Sequence, residues 1–252
     1  MLNYNLLHCL PSSEELPDSD DTPVDNELQN AIPGLLKAIL ALAWCDRWDW
    51  FFGVNMGIYY HPDKPAIVPD GFLSLGVQRF IDVGKAFSQG LDLRLSYVLW
   101  EEKQLPILVL EVVSQIHQGE YSTKQQFYAK ELGILYYVVY NPLRRKKPPL
   151  EVYRLVDGEY ILMSDLISKS PIWLPEIGLG IGRERGIYQG IAREWLYWYD
   201  EEGQRLLTPE ERIRELEERA AFEEQRRVEA EQRVKILTES LKAFGVDPET
   251  LA

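Results

Sequence analysis

Apolar positions recur at helical spacing early in the chain. Ile32, Leu35, Leu36, Ile39, Leu40 and Leu42 share one face of a predicted helix over "NELQNAIPGLLKAILALAW". Asp25 or Asn26 can cap its start. Pro33 must sit in the first turn or kink the helix. Short extended segments follow. "DWFFGVNMGIYYHP" is aromatic and β-prone, broken by Gly53 and Gly57. "AIVPDGFLSLGV" alternates as a strand does, and "LRLSYVLWEEKQ" reads as extended. "LPILVLEVVS" is a continuous apolar run, the pattern of a strand buried on both faces. Ser122 and Gln125 have the spacing of a capping box that opens the helix "STKQQFYAKEL". Gly133 suits its C-terminal end. "ILYYVVYNP" is another apolar strand, so strand, helix and strand form a parallel βαβ unit. "PLEVYRLVDGEYILM" is a hairpin turning at Asp157–Gly158.

The pattern changes from about residue 204. Ile213, Leu216, Ala220, Glu223, Arg227, Ala230, Val234, Leu237, Leu241 and Phe244 keep a 3,4 spacing. Eight of these ten are apolar, which is a coiled-coil signal with a polar interruption at its centre. The other reading is one amphipathic helix packed back on the domain. Residues 1–24, rich in Ser, Pro and Asp, read as a flexible arm. The expected organisation is therefore an arm (1–24), a globular domain (25–200) and a coiled-coil helix (204–246).

The 252 residues, 46% hydrophobic and 12% aromatic, are enough for a substantial core. The formal net charge is -13. Such a surface repels nucleic acid unless positive charge is concentrated locally. From residue 201 onward there are 14 acids against 9 bases, net -5, which leaves -8 for the rest. The run Arg144, Arg145, Lys146 and Lys147 is the best local candidate for phosphate contacts; a solvated loop is the other reading. Cys9 and Cys45 lack CxxC spacing, which excludes a disulfide scaffold and a zinc ribbon. A cytoplasmic location and no membrane span are expected. His8, His61 and His117 show no metal-ligand spacing.

Two carboxylates stand out. Asp70 follows Pro69 and precedes Gly71, so it has a turn reading. Glu111 interrupts the apolar run 105–113, and alone it reads as the point where a strand leaves the core. Both lie at the ends of predicted central strands. Two carboxylates in a partly dry site repel unless a cation lies between them. Oxygen ligands of this kind suit Mg²⁺. Lys124, in the first turn of the next helix, is placed to add positive charge.

This acid, acid, lysine set resembles the PD-(D/E)XK nuclease superfamily. "VPDGFLSL", "LPILVLEVVS", "YSTKQQFYAKELGI" and "YYVVYNP" resemble one branch of it, the Uma-two family of restriction-endonuclease-like proteins abundant in cyanobacteria. The resemblance implies an α/β (α+β) fold: a restriction-endonuclease-like core with a mixed, mostly four-stranded central sheet flanked by helices. Here that core precedes the long C-terminal helix. The resemblance also implies Mg²⁺- (or Mn²⁺-) dependent hydrolysis of DNA. Asp70 and Glu111 carry over as metal and catalytic carboxylates, and Lys124 as the catalytic lysine. One departure is plain: Val113 stands two places after Glu111, where the simplest pattern has lysine, so Lys124 must replace it from the helix. Glu27 and Gln125 are possible accessory residues, although Gln125 is also the capping-box residue. The competing class is a catalytically silent nuclease-fold protein that assembles, with itself or a partner chain, through its C-terminal helix. An RNA-processing variant of the same site is a third reading.

Overall fold

Asn26 opens the first helix, α1 (Glu27–Ala43). Its side chain accepts from Leu28 N, and its own N–H donates to Gln29 Oε1. In this computed structural model the described residues are 10–13, 15–16, 26–80, 93–114, 119–143, 147–163 and 170–243. Most of the N-terminal arm, Asp25, Arg144 to Lys146 and Phe244 lie outside them. Pro33 sits in the interior of α1, beyond the first turn, with its ring buried. Gly71 makes room for it: a Cβ there would stand 2.9 Å from Pro33.

The strands are β1 (Trp50–Val54), β2 (Ile58–Tyr59), β3 (Gly71–Leu75), β4 (Tyr97–Val98), β5 (Leu108–Val112), β6 (Tyr136–Tyr140), β7 (Leu150–Val156), β8 (Glu159–Leu162), β9 (Ile172–Leu174), β10 (Leu179–Tyr188) and β11 (Ile191–Tyr199). Among the described residues the central sheet has six strands, ordered β1-β3-β5-β6-β7-β8. It is mixed: β5 and β6 are parallel and the other pairs antiparallel. It is therefore wider than the four strands expected. A second antiparallel sheet, β11-β10-β9, and a two-stranded parallel pair, β2-β4, complete the set. The segment read as extended around Tyr97 yields only β4 before turning into a short helix, α2 (Leu99–Glu102). Trp100 Nε1 donates to Pro11 O and Ser13 N to Glu101 Oε1, so part of the N-terminal segment is held on α2.

Strand alternation divides the core. Leu108, Leu110 and Val112 of β5 pack with α1 and the second sheet. Val109 and Val113 pack on the other side, with Tyr128, Leu132 and Tyr137. All five residues of β5 are buried, as a doubly covered central strand requires. Trp198 Nε1 on β11 donates to Leu36 O of α1 and ties the second sheet to the first layer.

The expected capping box at Ser122 does not form: its side chain makes no cap hydrogen bond. A turn at Gly119 takes over instead, its carbonyl accepting from both Ser122 N and Lys124 N. The helix α3 (Thr123–Phe127) follows and runs into one π turn, Tyr128–Leu132. Gly133 closes it at φ +71°, in the left-handed region where glycine carries no Cβ penalty. The β7–β8 hairpin turns at Asp157–Gly158 as expected.

Gly53 faces Phe72 across the β1–β3 ladder, and a Cβ there would collide with the Phe72 ring. Gly53→Ala is expected to destabilise the fold by about 1–3 kcal/mol. Chemical denaturation would show this as a lower midpoint with an unchanged slope.

Two compact units are distinguished, Met1–Leu206 and Leu207–Ala252. In the second, Thr208 and Glu211 form a reciprocal capping box, with Pro209 at the first helical position. They open α4 (Pro209–Ala243), which has no buried residue. No helix among the described residues is long and apolar enough to cross a membrane.

Candidate active site

Glu111 occupies what would otherwise be a core position. Period-2 alternation places it between Val109 and Val113, on the side of β5 that faces α3. It is 1% exposed. A lone carboxylate there would be costly, and two groups on the helix meet it. Lys124 Nζ lies 2.8 Å from Oε2, and the Tyr128 hydroxyl donates to Oε1 at 2.9 Å. These residues are four apart on one face of the helix, and Tyr128 begins the π turn. Such turns are frequent at functional sites.

Asp70 arrives by strand register. Gly71 pairs with Leu110 and Phe72 with Val109, so one step further along the ladder Asp70 stands across from Glu111. Val112 N donates to Asp70 Oδ2 at 2.6 Å. Asp70, Glu111 and Lys124, chosen from three separate segments, thus meet at one place.

The charges are strongly perturbed. Burial, then the nearby Glu111 charge, pushes the Asp70 carboxyl up to about 8, against the hydrogen bond from Val112. Burial also raises Glu111, although Lys124 and Tyr128 oppose it. Burial works against the Lys124 charge, but Glu111 and Asp70 outweigh it and hold the ammonium above its ordinary value. Carboxyls pushed toward the neutral form by desolvation and by neighbouring acids are what a bound cation reverses.

Glu120 was not singled out by the sequence, yet it is buried and its charge is felt by Asp70, Glu111 and Lys124. Gln29 was also missed. Its Nε2 approaches Val112 O at 3.5 Å. Glu27 shares that turn of α1 but is exposed, whereas Gln29 reaches the end of β5. Gln125 neither caps α3 nor joins the acids. It lines an open groove with Lys130 and Tyr160 that includes none of the three acids. Of the basic run, Lys147 lies among the described residues, with its ammonium 4.5 Å from the centre of the Tyr121 ring. Arg144, Arg145 and Lys146 lie outside them.

Among the described residues no group of three or more His, Cys, Asp or Glu is arranged to hold a metal ion. A cation at this place would rest on two carboxylates, with Glu120 acting through its field. That donor set fits Mg²⁺, which commonly takes one or two carboxylates and completes its shell with water and phosphate oxygens.

No curated protein matches the chain. A solved structure similar to it is that of a putative nuclease belonging to DUF820 from Anabaena variabilis, at 12% identity over 66% of this chain and 90% of that one, with a TM-score of 0.43. The family model described as "Uma2: Putative restriction endonuclease" matches residues 21–182. That span is well over half the chain and contains Asp70, Glu111 and Lys124; the chain belongs to the Uma2 family.

Proposed function

We propose that this chain is a metal-dependent endonuclease hydrolysing DNA phosphodiester bonds at the Asp70–Glu111–Lys124 cluster. Membership of the Uma2 family supports a nuclease. The observation that carries the reading is a buried carboxylate, Glu111, met by Lys124 at 2.8 Å, with the half-buried Asp70 carboxyl across the ladder from it. A paired structural acid needs one cation; here two raised acids share one lysine, and a third acid adds to the same field.

In this reading Asp70 and Glu111 hold Mg²⁺ or Mn²⁺. Such an ion supplies Lewis-acid polarisation of a phosphoryl oxygen and a more acidic bound water. The chain's own groups do the positioning. Val112 N–H fixes one oxygen of Asp70, and Tyr128 fixes one oxygen of Glu111. Lys124 orients the other Glu111 oxygen and sets a positive charge where negative charge would build on the phosphate. Lys147, with Arg144, Arg145 and Lys146, is assigned to phosphate contacts that offset the acidic surface.

Supercoiled plasmid incubated with the protein and Mg²⁺ or Mn²⁺ is expected to be nicked or linearised, and EDTA to stop it. A parallel single-stranded RNA substrate separates DNA from RNA cleavage. An RNA preference would overturn the substrate assignment. No cleavage of either polymer by folded protein would favour the silent assembly reading, which the uncovered apolar side chains of α4 support.

A further inference from the structure

The helix α4 leaves its apolar seam uncovered. Ile213, Leu216, Val234 and Leu237 are each about half exposed or more (57%, 49%, 63% and 63%). With Ile213 as heptad position a, Leu216 is d, and the seam runs through Ala220, Glu223, Arg227, Ala230, Val234, Leu237 and Leu241. The flanking positions carry a strict charge code. Position g is arginine four times, at Arg212, Arg219, Arg226 and Arg233. Position e is glutamate three times, at Glu217, Glu224 and Glu231.

That code selects the partner and its direction. In a parallel pair, g of one helix faces e of the next heptad on the other. Arg212 then meets Glu217 of a second copy, Arg219 meets Glu224 and Arg226 meets Glu231, each twice by symmetry. In an antiparallel pair g faces g and e faces e, which sets arginine against arginine and glutamate against glutamate. The seam agrees. Ile213 and Val234 are β-branched at a, and Leu216 and Leu237 are leucine at d, the combination that favours two parallel strands. In register Glu223 faces Glu223 and Arg227 faces Arg227 of the second copy, so these two polar layers lower stability, and the flanking g–e pairs set the direction.

We propose that α4 pairs with the α4 of a second copy as a parallel, in-register two-stranded coiled coil. Each particle then carries two copies of the acid cluster, both chains entering the coil from the same end. The pairing stands whether or not the cluster cleaves DNA. In one chain Arg212 and Arg219 both bond Glu215, and Arg227 bonds Glu224. Exposed intrahelical pairs of this kind are weak and exchange readily for interhelical ones.

The test uses three full-length chains in analytical ultracentrifugation. The parent is expected to sediment as a dimer. Variant one carries Arg212→Glu, Arg219→Glu and Arg226→Glu; variant two carries Glu217→Arg, Glu224→Arg and Glu231→Arg. Each alone is expected to lose the dimer, with the dissociation constant raised at least about 100-fold, since six attractive pairs become repulsive. Mixed one to one, they are expected to regain it. For direction, Val234→Cys in a chain with Cys9→Ser and Cys45→Ser is expected to form a covalent dimer on mild oxidation. A monomeric parent, a dimer of either charge variant alone, a mixture that stays monomeric, or a Val234→Cys dimer that forms no cross-link would each overturn the proposal.

Discussion

Asp70→Asn is expected to abolish metal-dependent cleavage and to stabilise the metal-free protein at pH 8. The amide keeps an oxygen to accept from Val112 N, so the local fold is preserved. It removes a charge that ligation of a divalent cation needs. Losing that ligand is expected to lower cleavage about 10³-fold or more, the equivalent of roughly 4 kcal/mol of barrier. The stability effect follows from proton linkage. The folded-state value of Asp70 is about 8, well above its ordinary 3.8. Between those values the folded protein binds more protons than the unfolded chain, so Asp70 makes metal-free stability fall as pH rises toward 8. Asparagine lacks that slope. Melting curves in EDTA should separate variant and parent little at pH 5 and most at pH 8 and above. Added Mg²⁺ should raise the parent's melting temperature and leave the variant's nearly unchanged. A variant less stable than the parent at every pH would show Asp70 to be a structural acid.

Lys124→Met is expected to weaken both fold and activity. It leaves Glu111, 1% exposed, with the Tyr128 hydroxyl but no cation beside it. Removing one partner of a buried pair costs about 3 kcal/mol, at the lower end here because Lys124 is itself 27% exposed. The deficit should shrink as pH falls, because Glu111 is already raised and its protonation removes the unpaired charge. Cleavage should fall about 10²–10³-fold, the usual effect of losing one preorganised electrostatic contact to a developing anion. Lys124→Arg keeps the charge and should recover most of the stability. The informative signature is therefore activity that remains low in the arginine variant while the melting temperature returns. Full activity in Lys124→Met would assign the lysine to the fold alone.

The acids were legible because they break a pattern. Glu111 in an all-apolar strand has no surface to reach, so its presence calls for a partner. Lys124 was legible by its place in the first turn of the next helix. The register that sets Asp70 opposite Glu111 was not, since cross-strand pairing is a tertiary property. Tyr128 stood in the helix run that carries the resemblance, but nothing in the letters aimed its hydroxyl at Glu111, and Glu120 sat in a segment without periodicity. Ser122 matched a capping box in letters, but the Gly119 carbonyl takes the Ser122 amide that the Gln125 side chain of the box would satisfy. The sheet β9–β11 was hidden for another reason. Gly180, Gly182 and Gly186 depress strand propensity, yet each makes room for close packing; a Cβ at Gly182 would press on Tyr199 and Pro171, and one at Gly186 on Tyr197. The five buried residues ending β11, Trp195 to Tyr199, blur alternation further.

Asp70 and Glu111 are expected to serve a cation and a phosphodiester rather than the fold. The most direct measurement is plasmid nicking by the parent and by Glu111→Gln side by side at pH 8, with Mg²⁺ and with EDTA, both proteins shown folded by melting. The parent is expected to cleave with Mg²⁺ and not with EDTA, and Glu111→Gln to cleave under neither condition. Equal Mg²⁺-dependent cleavage by both proteins would contradict that role.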